Sequence, residues 1–503
     1  MTGTAGRRPN VLLVMVDQLA AGWLPAYGHA VTRAPHLTAL AREGVVFERA
    51  YCASPLCGPS RSAMLTGRLP STTGVFDNAA EWPAAMPTVV HALRSAGYRT
   101  VLAGKMHFVG PDQLHGYEER LTTDVYPASF DWTPDWSLPS GARLPWYHNA
   151  ESLLMAGVRE SAMQTDYDDE VCFHAVRKLR ELARDDDDRP FFLTVSFTNP
   201  HDPWEVRRRH WELYDGVDVG RPSAGRATDP LSERLRAMCG LDDRPLTEEE
   251  EARARRAYLA AVSYADERIG EVLAALAECG HAGDTIVVFT ADHGELLGEH
   301  RLWYKMSFFD PSARVPLVVR APGGPAGRVS GPVSHLDLAP TLAELAGADL
   351  GSDELHGTSL MPVMAGGERP GDVVAEYLAE GVSAPMVMVR DGALKYVRCP
   401  GDPDVLYDLD ADPRERRSLG ADPSAGAALR AEADRRWDPV ALEHAVLDSQ
   451  RERRAVVPAL NRGRPTAWDY VPQSQAMRYI GTNADLYELQ RRARLDTDDR
   501  RAS

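Results

Sequence analysis

The chain has 503 residues, of which 44% are hydrophobic and 26% charged, and its formal net charge is −17. Ordinary globular usage at this length excludes a wholly disordered chain and a small disulfide-stapled scaffold. The acidic balance argues against nucleic acid or an anionic membrane as the main partner.

The N-terminus carries Arg7-Arg8 ahead of the apolar run Val11–Val16, which stops at Asp17. That run is too short for the apolar core of an export signal and reads as a buried strand. No stretch approaches the ~20 apolar residues of a membrane span, and no internal repeat is visible. The six cysteines, at 52, 57, 172, 239, 279 and 399, are scattered and form no C-x-x-C pair. They fit a reducing compartment, so a cytoplasmic protein is expected.

Further strands are predicted at Val45–Ala50, Arg99–Ala103, Phe191–Phe197, Thr285–Thr290 and Val315–Arg320. Helices are predicted at Thr88–Ala96, Asp166–Arg184, Glu248–Glu278 and Leu336–Ala346. Near-continuous apolar strands alternating with helices predict an α/β fold, with a large mixed, mostly parallel sheet sandwiched by helices. In such sheets chemistry gathers beyond the carboxyl ends of the strands. Asp17, Lys105, His107, His201, Asp292 and His293 all follow predicted strands.

After residue 370 the pattern shortens. Val373–Leu378, Met386–Val389, Leu394–Arg398 and Val405–Leu409 read as strands joined by tight turns. The expected division is a catalytic α/β domain over 1–370, a smaller antiparallel sub-domain over 371–435 and a polar, Arg-rich tail over 436–503. The tail aromatics Trp468, Tyr470, Tyr479 and Tyr487 are too many for free chain and should pack on the body or on another subunit.

The most informative segment is Pro55-Leu56-Cys57-Gly58-Pro59-Ser60-Arg61-Ser62-Ala63-Met64-Leu65-Thr66-Gly67. By average usage its C-x-P-S-R core arises by chance in roughly one chain in a thousand. Pro59 suits the first position of a helix, whose N–H groups would face an anion. A second segment runs from Gly97 through Gly104-Lys105-Met106-His107. Together the two segments resemble the paired signatures of the sulfatase family, within the alkaline-phosphatase-like superfamily.

The resemblance implies that Cys57 is oxidised after synthesis to Cα-formylglycine by a separate maturation enzyme. The hydrated aldehyde offers one hydroxyl to attack sulfur and a second whose deprotonation expels sulfate. It further implies one divalent metal ion, Ca²⁺ ahead of Mg²⁺ or Mn²⁺, held by Asp17, Gln18, Asp292, His293 and the modified Cys57. Acidic oxygens at strand ends suit such hard cations. Gln18 departs from the family pattern, in which many members carry a second aspartate at that place. Arg61 is expected to hold nucleophile or metal-side oxygens, and Asp292 to accept the nucleophile's proton. Lys105 is expected to clamp sulfate and His107 to act as the base. Their spacing would put Lys105 and His107 on one side of an extended segment. His201 and Lys305 would bind sulfate and protonate the leaving alkoxide. Asn78 would contact sulfate, a turn role being nearly as good a reading.

Met15-Val16-Asp17-Gln18-Leu19-Ala20, the run from Gly104 to Asp124, Asp131–Trp136, Trp146–Asn149 and the tail block from Ser449 to Tyr470 resemble choline sulfatases more closely. That likeness implies hydrolysis of choline O-sulfate, and dimers or tetramers of the chain. A quaternary ammonium is best held by aromatic faces and a carboxylate. Trp132, Trp136, Trp146, Tyr147 and His148 form an aromatic cluster, with Trp132 and His148 the preferred wall residues. Glu380 is the carboxylate candidate and Glu376 its competitor. Two other readings stand beside this one. A phosphonate or phosphate ester hydrolase, or an arylsulfatase, of the same superfamily would share the core. An inactive binder of quaternary ammonium compounds would not need the intact Cys57, Arg61, Lys105, His107, His201 and Asp292.

Overall fold

The computed structural model describes residues 8–139, 142–351, 354–420, 424–472 and 490. Tyr479 and Tyr487 lie outside the described residues. A nine-stranded mixed sheet forms the centre. Asn10–Val16 is buried along its whole length and lies parallel to both Phe191–Ser196 and Thr285–Ala291. Arg99–Gly104 continues the parallel set beyond Phe191–Ser196. All four strands therefore end at one edge, which gathers the residues that follow them.

On the other side of Thr285–Ala291 the order reverses. The expected strand Val315–Arg320 is split into Arg314–Val315 and Leu317–Arg320, each antiparallel to its neighbours. The break falls at Pro316, which has no N–H for a ladder. Val45–Tyr51 pairs antiparallel with Leu317–Arg320, so it again runs with Thr285–Ala291. Cys57 thus arrives at the same edge as Asp17 and Asp292. The outermost strand, Gly327–Ser334, gave no sequence signal. It is a mostly exposed edge strand containing Pro332, where alternation is not required.

Helices cover the sheet where the periodicity predicted them. Glu248–Glu278 starts with a capping box between Thr247 and Glu250 and has four glutamates in its first turn, which favours the positive helix end. It packs against Met163–Arg184. Among the described residues no helix is long and apolar enough to cross a membrane.

Val373–Tyr377, Met386–Asp391, Leu394–Arg398 and Val405–Asp408 form a second, antiparallel sheet of four consecutive strands. The Glu376 amide donates to Ala53 O at 2.9 Å, tying this sheet to the segment that leads into Cys57. The helix Pro439–Leu460 then returns to the body. Arg453 in it grips Asp77 through two hydrogen bonds of 2.7 Å. Further on, Trp468 packs on Phe130, and Tyr470 stacks under Arg120.

Candidate active site

The helix Cys57–Thr66 is buried throughout and begins at Cys57 itself. Pro59 therefore occupies its third position and not its first, which costs nothing because first-turn N–H groups have no helical partner. Cys57 Sγ lies 3.3 Å from His293 Nε2 and 3.9 Å from Asp17 Oδ1. Burial alone would raise its thiol. The charges of Lys105, Lys305 and His293 outweigh burial and hold it well below the ordinary value.

Arg61 sits one turn into this helix and joins four strand ends. Its Nε donates to Asp292 Oδ2 at 2.9 Å and its Nη2 to Asp17 Oδ2 at 3.0 Å. Its Nη1 donates to Lys105 O at 2.5 Å and Ser196 Oγ at 2.9 Å. Every arm of the fork is engaged, so Arg61 orients the carboxylates around residue 57. Lys105 Nζ lies 2.5 Å from the same Asp17 oxygen and 4.2 Å from the centre of the Tyr126 ring.

The ligand atoms of Asp17, Cys57, Asp292 and His293 all lie within 4.8 Å of one another. The donor chemistry fits a divalent cation. Asp17 gives Oδ2 to Arg61 and Lys105 and turns Oδ1 toward Cys57 and His293. Two buried carboxylates and an imidazole converging on one point form an oxygen-rich donor set that suits such a cation. Gln18, with φ of 63°, accepts from Lys305 Nζ through Oε1 at 2.6 Å. Its Nε2 donates to Asp202 Oδ1 at 3.1 Å and Glu295 Oε2 at 2.5 Å. An aspartate at 18 would set a third carboxylate against that pair; the amide supplies the donor they require. Its oxygen keeps one lone pair for a cation.

His107 adopts a left-handed backbone, φ 59°, so it does not continue the strand as its spacing from Lys105 predicted. Asp124 holds this turn by accepting the N–H groups of Met106 and His107 at 3.1 and 2.9 Å. His107 Nε2 lies 3.0 Å from Asn78 O, which leaves a buried Nδ1 without a partner. Asn78 accepts the Gly58 N–H through Oδ1 at 2.9 Å. It therefore braces both the helix start and His107. His201 Nε2 and Lys305 Nζ are 2.9 Å apart, and the other His201 nitrogen is 3.1 Å from Tyr126 Oη.

The aromatic cluster divides in two. Trp132 and Trp146 stack at 6.2 Å, half-buried, and Trp132 continues through Tyr126 toward His107. His148, also half-buried, lies 6.1 Å from His201, and burial and the charge of Lys305 depress its pKa to about 3, so it is neutral. Trp136 and Tyr147, the cluster members not preferred as wall residues, are buried. The Trp136 indole N–H donates to Ala379 O at 2.8 Å, fixing the backbone beside Glu380.

The two carboxylate candidates also separate. Glu376 accepts from Ser71 N, Ser71 Oγ and Trp437 Nε1 at 2.6–2.7 Å, so its oxygens are occupied. Glu380 is 2% exposed, and its Oε2 has no hydrogen-bond partner among the described residues. Burial pushes its carboxyl up to about 7, with Asp77 adding to the rise. A buried, unpartnered carboxylate oxygen requires a cation or a proton.

Sequence reasoning missed Tyr126, Asp124, Asp202 and Glu295. Tyr126 touches Lys105, His107, His201 and Trp132 at once. No motif marks it, because its neighbours come from three separate segments.

A thiol at a helix start, flanked by carboxylates and by lysines and histidines at the ends of parallel strands, defines a hydrolase of anionic esters. Residues 9–348 match the family model described as Sulfatase. Residues 298–436 match the model described as N-sulphoglucosamine sulphohydrolase, C-terminal, and residues 444–495 match Choline sulfatase enzyme C terminal. The chain belongs to the sulfatase family. It is 46% identical over 502 residues to a choline-sulfatase of Rhizobium meliloti (strain 1021), covering 96% of this chain and 98% of the relative. It is 28% identical to an arylsulfatase of Clostridium perfringens (strain 13 / Type A), covering 82% and 90%. Among solved structures, a phosphonate monoester hydrolase of Agrobacterium radiobacter superposes with a TM-score of 0.67 at 27% identity, covering 88% and 96%.

Proposed function

We propose that this sulfatase hydrolyses choline O-sulfate to choline and sulfate, using formylglycine made from Cys57 by a maturation enzyme and one divalent metal ion, Ca²⁺ ahead of Mg²⁺ or Mn²⁺. The observation that carries the substrate is the likeness to a choline-sulfatase over nearly the whole chain, its C-terminal region included. The unpartnered Glu380 oxygen and the half-buried tryptophan pair supply the chemistry a quaternary ammonium needs.

Asp17, Asp292 and His293, with the Gln18 carbonyl, would hold the metal, which supplies charge neutralisation for sulfate and nucleophile when bound. The hydrated aldehyde at 57 supplies the attacking oxygen. The chain's own residues do the remainder. Lys105 and Lys305 offer positive charge to the sulfate oxygens. The His201–Lys305 pair gives a proton to the choline oxygen as its bond to sulfur breaks. Such help is worth about 10²–10⁴-fold for a poor leaving group. His107, whose Nδ1 is unpartnered beside residue 57, takes the proton that releases sulfate.

The test compares turnover of choline sulfate, 4-nitrophenyl sulfate and an aryl phosphonate ester by metal-loaded enzyme, with the mass of the peptide containing residue 57. Choline sulfate should have the highest kcat/KM, and the dry peptide should be about 18 Da lighter than with cysteine. Preference for the phosphonate ester would overturn the substrate assignment. An unmodified but fully active peptide would overturn the nucleophile.

A further inference from the structure

Away from this site, a cavity of about 540 Å³ is lined by Arg49, Arg221, Arg255, Arg314, Arg390 and Arg414, against three carboxylates. In a chain of net charge −17 this is a local reversal of sign. The carboxylates make their short contacts with groups other than these arginines. Glu299 accepts the N–H groups of Ser223 and Ala224 and the Ser223 hydroxyl at 2.8–3.1 Å. Asp310 accepts from Lys395 at 2.8 Å and from Tyr51 at 2.9 Å. Glu415 accepts the Asp310 N–H at 2.6 Å and pairs with Lys395, and burial pushes its carboxyl up to about 7.

Among the described residues, two of the arginines are buried without adequate partners. Arg255 is 4% exposed, and Arg390 is 1% exposed. Arg255 donates Nη1 to Leu297 O at 2.7 Å and lies 4.7 Å over the Trp23 ring, while its Nε has no partner. Arg390 donates Nε to Gly392 O and lies 4.7 Å over the Tyr51 ring. Its Nη1 makes no hydrogen bond and stands 3.9 Å from Asp310. Arg314 lines the same cavity, 3.9 Å from the same Asp310. Burial lowers the pKa of both buried guanidiniums, that of Arg390 to about 10, with Arg49 adding to its fall. A guanidinium so placed gains from an anion that its own chain does not provide.

We propose that this cavity is a second anion-binding site, for a tetrahedral dianion of the sulfate or phosphate type held between Arg255 and Arg390. Planar forks match such oxyanions through paired hydrogen bonds. The cavity has room for an organic remainder, so the dianion is either a free ion or the charged group of a larger ester.

Crystals of the metal-loaded enzyme soaked in selenate locate tetrahedral dianions directly by anomalous scattering. Two peaks are expected, one beside residue 57 and one between Arg255 and Arg390. Calorimetric titration with inorganic sulfate, inorganic phosphate and glycerol 2-phosphate separates the sources. A free-ion site takes the inorganic ions as tightly as the ester, whereas an ester site favours glycerol 2-phosphate. Arg390→Gln should remove the second peak, and Arg49→Gln, at a half-buried arginine paired with Asp410, should weaken binding by about tenfold with turnover unchanged. No second peak where the first is filled, or a peak at near-molar selenate that no titration detects, would overturn the proposal. So would unaltered binding in Arg49→Gln and Arg390→Gln.

Discussion

At one end of the site, Arg61 alone makes four hydrogen bonds of 2.5–3.0 Å to residues at the ends of four parallel strands. At the other end, Trp132 and Trp146 meet only through ring faces 6.2 Å apart, and Glu380 keeps an oxygen without a partner. The first region is pre-organised before any substrate arrives, so its energy of assembly is met in folding. The second leaves part of its polar requirement unmet, and a bound cation would complete it. Catalysis rewards rigid placement around the reacting atoms, whereas recognition of a cation rewards an unsatisfied carboxylate that substrate can satisfy.

The sharpest way to break this contrast is at residue 57. Cys57→Ala removes the proposed nucleophile precursor while leaving Arg61 and its strand-end contacts intact. Turnover should fall by ~10⁴-fold or more. The melting temperature and choline binding by calorimetry should stay near wild type. A variant that loses choline binding as strongly as turnover would show that the two ends are one unit.

A smaller effect should separate the ends from the opposite side. Glu380→Gln keeps shape and removes the charge proposed to face the cation. KM for choline sulfate should rise by about tenfold, with kcat and the KM of an uncharged aryl sulfate little changed. The pH dependence follows from the raised pKa of about 7. Below that pH the free enzyme carries Glu380 neutral, so KM for choline sulfate should rise as pH falls through 7. Above it the carboxylate is charged and KM should level off. Substrate binding favours the ionised form, so the same group should titrate lower in the complex. In Glu380→Gln this limb of the KM profile should disappear; its persistence would assign the titration to another group.

The two ends also differed in how far sequence reached them. Cys57, Arg61, Lys105, Asp292 and His293 lie in short segments directly after strands, so a local motif and a topology rule place them together. The choice between Glu376 and Glu380 could not be made locally, because Ser71 and Trp437, which occupy Glu376, come from distant segments. Tyr126 and the inward turn of Trp136 were hidden for the same reason. The edge strand Gly327–Ser334 lacked a signal because its mostly exposed face carries no alternation. Pro316 was visible in the sequence, yet a continuous strand was predicted across it.

The smallest effect on rate concerns the C-terminal helix. Arg453 and Asp77 form a buried bidentate pair, and the next residue, Asn78, braces both Gly58 and His107. Arg453→Met would leave Asp77 buried without its partner, at a cost of about 3 kcal/mol in stability. The melting temperature should drop clearly. Asn78 keeps its own contacts with Gly58 and His107, so kcat should fall by only about two- to fivefold below the unfolding transition. The double variant Asp77→Asn with Arg453→Met removes the uncompensated charge and should recover part of the lost stability. If kcat recovers with it, the helix acts on the anion end by holding Asp77 in place. If stability recovers and kcat does not, the Asp77 charge itself contributes to orienting Asn78, and the C-terminal region belongs functionally to the anion end of the site.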